Sequence, residues 1–96
     1  MGQVICHNDG RYNIYSTIAD GFYFESSLSL DELKEYIKDN RGSTGLKELD
    51  GRLYRAHSTG HSSLEGGSLD DYLCCNRAGE NEKRLTTEQC IAQFLS

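Results

Sequence analysis

Proline is absent from this 96-residue chain, so it contains no cis-proline switch, no proline-rich ligand segment and no stiff proline linker. Long apolar runs are also missing. No stretch approaches the ~20 residues that span a bilayer, and Met1-Gly2-Gln3-Val4-Ile5-Cys6-His7 lacks the basic-then-apolar pattern of a signal peptide. The expectation is a cytoplasmic protein without a membrane partner, acting in the host cell cytosol if a virus encodes it. Met1-Gly2 opens a myristoylation pattern, but Cys6 stands where that pattern takes Ser or Thr. Basic surplus is lacking too: the formal charge is −5 and the pI about 5.0, which argues against direct binding to a nucleic-acid backbone.

Several catalytic and ligand-binding signatures fail in the same way. Gly60, Gly66 and Gly67 have neither G-x-G-x-x-G spacing nor the lysine of a phosphate-cradling loop, and no glycine-flanked serine follows a strand. The cysteines Cys6, Cys74, Cys75 and Cys90 include no C-x-x-C pair, and a reducing compartment makes them buried thiols before bridges. His57 and His61, with Cys74 and Cys75, are the residues that zinc or a Cys/His-dependent enzyme would have to use. Neighbours on a strand point to opposite faces, which separates Cys74 from Cys75 and Cys6 from His7. No cofactor, no metal and no catalysis is therefore the expectation, with that small zinc or Cys/His module as the alternative.

What the chain does have is strand and turn chemistry. With 36% hydrophobic and 26% charged residues it has the composition of one folded domain, 1–96. Val4–Glu25 is a strand-rich run cut by Asp9-Gly10 and Asp20-Gly21, and Asp-Gly between apolar runs predicts hairpins because both residues accept positive φ. Read as a two-residue loop, Asp20-Gly21 sets Ala19 opposite Phe22 and Thr17 opposite Phe24. A third Asp-Gly, Asp50-Gly51, predicts a hairpin of Leu46–Leu49 with Arg52–His57, and Asp71–Cys75 reads as a further short strand.

Two helix starts are explicit. Ser29 with Glu32, and Thr86 with Gln89, have the spacing of capping boxes; Leu28 and Leu33 form a hydrophobic staple. The first helix is expected to run to about Asn40, capped by Gly42, and the last to bury Cys90, Ile91, Phe94 and Leu95. The predicted fold is α+β in the order β-β-β-α-β-β-β-α: a mostly antiparallel sheet with two helices packed on one face. Both faces of the first meander carry large side chains, so a second cover is needed. The Gly- and Ser-rich stretch 58–68, a second copy in a homodimer, or a foreign protein would supply it.

The functional reading rests on charge. Asp31, Glu35 and Asp39 recur at helical spacing and stack three like charges on one face, with Lys34 and Lys38 beside them. Such a ridge complements a basic protein surface and speeds encounter with it. Tyrosines Tyr12, Tyr15 and Tyr23 and the histidines His57 and His61 complete the expected partner-binding set, since tyrosine is favoured in interfaces. The expectation is a small acidic protein that binds and inhibits without catalysis. Its anticipated target is a host nucleic-acid-handling defence complex, blocked as an anti-CRISPR protein from a phage or mobile element would block it.

Overall fold

The computed structural model describes residues 3–62, 69–74 and 76–96. The first hairpin forms as its turn chemistry dictates. Strands β1 (Gln3–Asn8) and β2 (Arg11–Ser16) pair antiparallel with Ile5 opposite Ile14 and Asn8 opposite Arg11. Asp9 (φ 48°) and Gly10 (φ 79°) take the two left-handed positions between them. The second turn is longer than two residues. β3 (Gly21–Phe22) pairs Gly21 with Ser16 and Phe22 with Tyr15, so the loop spans 17–20 and only Asp20 (φ 57°) is left-handed. Ile18, at 83% exposure, lies in that loop and not on the sheet.

Beyond β3 the chain leaves the ladder and rejoins it at Leu28, which exchanges two backbone hydrogen bonds with Tyr12. Asn13 fills the gap. Its amide donates to the carbonyls of Phe24 (2.9 Å) and Phe94 (3.0 Å), and its oxygen accepts from the amides of Ile14 and Phe24. A buried polar group must be paired in this way to avoid a penalty of about 1–3 kcal/mol.

Helix α1 (Leu30–Thr59) replaces the predicted second hairpin. Its start follows the sequence: Ser29 Oγ accepts from the Glu32 amide, and the Glu32 carboxylate accepts from the Ser29 amide. Gly42 has the positive φ expected of it (61°), but its ψ of −152° is not that of a left-handed helix cap: the chain bends there instead of ending and resumes helix to Gly60, whose φ of 91° closes it. The hairpin fails because Leu46, Leu49, Leu53 and Ala56 recur at helical spacing and pack together on the sheet. Gly51 is helical, and Tyr54 faces away at 76% exposure. The predicted strand at Asp71–Cys75 is likewise helical through α2 (Leu69–Leu73), with Cys75 outside the described residues.

A 3-10 turn over Glu80–Glu82 leads to α3 (Thr87–Phe94), which opens on the expected Thr86–Gln89 capping box. The fold is therefore α+β, with a three-stranded antiparallel sheet in the order β1-β2-β3. Its helices do not share one face. α1 covers Ile5, Tyr12 and Ile14 with Leu33, Ile37, Leu49 and Ala56. On the other face Cys6 and Tyr15 pack with Leu73, Cys90 and Leu95 from α2 and α3. The chain's own C-terminal helices thus supply the second cover for which a homodimer was one candidate. The outer edge of β1 is covered as well: His7 donates to Gly60 and Ser62 to Ile5 through backbone bonds, with His61 bridged to Cys6.

Candidate functional site

Asp31, Glu35 and Asp39 are all exposed on the first arm of α1, residues 30–41, alternating with exposed Lys34 and Lys38. The arm is held rigidly beneath them, because Leu33 and Ile37 on its opposite side are fully packed against the sheet. Asp31 sits in the first turn, where the helix dipole favours a carboxylate. Glu32 is committed to the cap, and its bonds from Ser29 hold its carboxyl below the usual range. Asp39 precedes the bend at Gly42, the unfavourable end for negative charge. Tyr23 is 47% exposed, and its hydroxyl accepts from the Gln3 side chain at 2.9 Å.

Three of the expected interface residues belong to the interior instead. Tyr15 is 1% exposed within the α2–α3 face of the sheet, and its hydroxyl has no hydrogen-bond partner among the described residues. Tyr12 is 3% exposed in the α1 face. His61 is fully buried at the sheet edge, with its ring 4.4 Å from that of Tyr72. These side chains stabilise the fold and present no surface to a partner. Alternation in a doubly covered sheet buries both sides, which is why the tyrosines of β2 go inward.

His57, exposed in the last turn of α1, acquires neighbours that its sequence position does not reveal. Its Nε2 lies 2.6 Å from the Tyr12 hydroxyl, and its ring stacks on His7 at 4.2 Å between centroids. His7 Nε2 in turn accepts from the Gly10 amide of the β-turn at 3.0 Å. Burial first, then the neighbouring His57, lowers the pKa of His7, and burial raises that of Tyr12. His57 Nε2 thus ties the end of α1 to the first hairpin, while His7 Nε2 closes the hairpin's own turn and its ring stacks on His57. Sequence reasoning missed His7; the clue was its register opposite Tyr12 across the Asp9-Gly10 turn.

The His57/His61 and Cys74/Cys75 set does not assemble from its described members. His57 faces Tyr12 and His7, whereas His61 faces Tyr72 of α2. Cys74 is exposed and its thiol donates to the Asp71 carbonyl at 3.1 Å; Cys75 and residues 63–68 lie outside the described residues. Among the described residues no group of three or more His, Cys, Asp or Glu could hold a metal ion. Cys6 and Cys90 are buried free thiols, and burial pushes Cys6 up to about 12, far from a nucleophilic thiolate.

A cleft of about 530 Å³ opens beside β3, between Phe22, Glu25, Arg77, Gln93 and Phe94. Its aromatic residues are already stacked on each other, with centroids 4.5 Å apart. Among the described residues no helix is long and apolar enough to cross a membrane. No protein-family model matches the chain, and neither a curated protein nor a solved structure matches it.

Proposed function

We propose that this protein acts by stoichiometric, non-catalytic binding of another protein through the acidic face of the first arm of α1. The observation that carries the reading is the simultaneous exposure of Asp31, Glu35 and Asp39 on a helix whose other side is fixed to the sheet. Three like charges one turn apart repel by a few tenths of a kcal/mol per pair, about what a helix pair of this kind is worth. A basic partner surface relieves that repulsion and gains complementarity that steers encounter. Tyr23 is exposed, and the next residue, Phe24, packs edge-on against Tyr36 of the same arm, so Tyr23 supplies an amphipathic contact at its margin.

The finer form of the proposal concerns the partner. Basic protein surfaces are characteristic of complexes that hold nucleic-acid phosphates. A small acidic binder directed at such a surface has the character of an inhibitor of a host defence complex, of the anti-CRISPR kind, encoded by a phage or mobile element and acting in the host cytosol. With a net charge of −5 on 96 residues, a local acidic patch accounts for this better than mimicry of DNA along its whole length.

The test is a comparison of the native chain with the D31K/E35K/D39K triple variant. Each is immobilised and exposed to host lysate at low and at physiological salt, after circular dichroism has shown that both are folded. A partner retained by the native chain and lost by the variant, with the greater difference at low salt, supports the reading. Equal capture by both removes the acidic face from consideration.

A further inference from the structure

The two edges of the sheet are finished differently. β1 is bonded along its outer side to Gly60 and Ser62, whereas β3, only Gly21–Phe22 long, ends the ladder on the other side. Tyr23 donates its amide to the Ile14 carbonyl at 2.8 Å, so these two are a bonded pair and Phe22 with Tyr15, next along, is a non-bonded one. The N–H and C=O of Phe22 therefore point away from β2, and among the described residues nothing is bonded to them. Strand groups open in this way are a template on which another extended chain can pair.

The cleft of about 530 Å³ lies on that side. Arg77 donates its amide to the Asp20 carbonyl at 2.6 Å, immediately before β3, and Arg77 and Ala78 line the cleft together with Gly21 and Phe22. That bond closes the edge at one end. At the other end the backbone turns inward, where the amide and the carbonyl of Phe24 are both bonded to Asn13. Phe22 is what remains open, with room for a short segment and none for a strand that runs on past Asp20.

Phe22 is held in place as a template. Its ring meets that of Tyr15 edge-on at 5.1 Å and stacks on Phe94 at 4.5 Å, and the Phe94 carbonyl is fixed by the Asn13 amide at 3.0 Å. Charge sets the direction of a chain that pairs there. Arg77 stands at the closed end and Glu25 lies past the open one; both are exposed and both line the cleft. A chain that must stop at Arg77 stops most favourably with its carboxylate there. It then runs from Glu25 towards Arg77, antiparallel to β3, and a basic side chain upstream complements Glu25.

We propose that this cleft binds the carboxyl-terminal end of an extended peptide, added antiparallel to β3 through the backbone of Phe22, with its carboxylate on Arg77 and a basic residue towards Glu25. Main-chain bonds give such an addition its affinity, and the charged ends give it specificity. The site is built from β3, the segment 77–78 and the end of α3, and uses none of the carboxylates on the first arm of α1. Failure of this proposal therefore leaves the acidic-face proposal untouched, and the converse holds.

The experiment is a titration of the full chain with acetyl-Val-Lys-Val-Thr-Val bearing a free carboxylate, followed through backbone amide NMR signals at constant physiological ionic strength. The carboxyl-terminal amide of the same peptide is run in parallel, as is a version N-methylated on its last three residues, which cannot donate to the edge. The expected result is saturable movement of the Phe22 and Arg77 amide signals with the free acid. The peptide amide and the N-methylated peptide should each bind about tenfold more weakly or worse, as should the free acid to the R77Q variant. R77Q removes the charge and keeps the backbone bond to Asp20, so the cleft persists. E25Q should also weaken binding of this lysine-bearing peptide. Circular dichroism first shows that both variants are folded. The proposal is overturned if the shifts do not saturate or bypass Phe22, if the peptide amide or the N-methylated peptide binds as the free acid does, or if R77Q or E25Q binds the free acid as the native chain does.

Discussion

Replacing Gly42, Gly45 and Gly51 by alanine, one at a time, tests the long bent helix through three different physical effects. At Gly42 a new Cβ would touch nothing within 4 Å, so the effect is purely conformational. With φ 61° and ψ −152° the backbone occupies a region that L-residues adopt only at about 1–3 kcal/mol. At Gly45 the backbone is helical but the site is crowded. An added Cβ would overlap the Arg41 Cβ and come within 3.0 Å of Ile37 Cγ2, in the layer that packs α1 on the sheet. Overpacking of this sort destabilises by about 1–3 kcal/mol. At Gly51 the backbone is helical and exposed, and the Cβ would stand 3.5 Å from Arg55 Nη1, an ordinary contact. Alanine there gains helix propensity and stabilises by about 0.5–1 kcal/mol.

For a domain of this size, each kcal/mol moves the melting temperature by roughly 4–8 °C. Thermal unfolding followed by circular dichroism should therefore place Gly51→Ala above the native chain, with Gly42→Ala and Gly45→Ala below it. The sign at Gly51 decides most. Were Asp50-Gly51 a type I′ turn, Gly51 would need positive φ and alanine would destabilise. A lowered melting temperature for Gly51→Ala would refute the helical assignment of residues 43–59, and an unchanged one for Gly42→Ala would refute the bend.

Two further predictions concern ionisation. Because His7 has its pKa lowered in the fold, the unfolded chain takes up a proton first as pH falls below about 6.5. Stability should accordingly decline with falling pH until the folded-state pKa is passed. The urea midpoint measured from about pH 7.5 to about pH 5.5 should fall less steeply in His7→Gln, and identical slopes would show that the His7–Gly10 bond is not the sensor. Cys6, with its pKa near 12, and Cys90 should resist iodoacetamide near neutral pH in the folded chain while exposed Cys74 reacts. Peptide mass mapping checks this, and modification of Cys6 at the rate of Cys74 would contradict the buried placement.

The sequence by itself determined those features whose causes are local. Asp9-Gly10 sets the first hairpin because two adjacent left-handed residues are required and these two tolerate them. Ser29 with Glu32 and Thr86 with Gln89 open helices because each pair satisfies amides that a helix start leaves unpaired. Gly42 was legible as a positive-φ position, though not as a bend within a longer helix, and the exposed carboxylates Asp31, Glu35 and Asp39 were legible from spacing alone.

Tertiary structure decided where a local signal had two readings. Asp50-Gly51 fits a turn, yet the helical spacing of Leu49, Leu53 and Ala56 becomes decisive once α1 has a sheet to pack on. Strand alternation showed that both faces of the meander need cover, but not that α2 and α3 would provide it. Nor could local pattern place His57 on His7, or His61 against Tyr72. Those neighbours are set by where a thirty-residue helix bends and what it crosses, which depends on the packing of the whole chain.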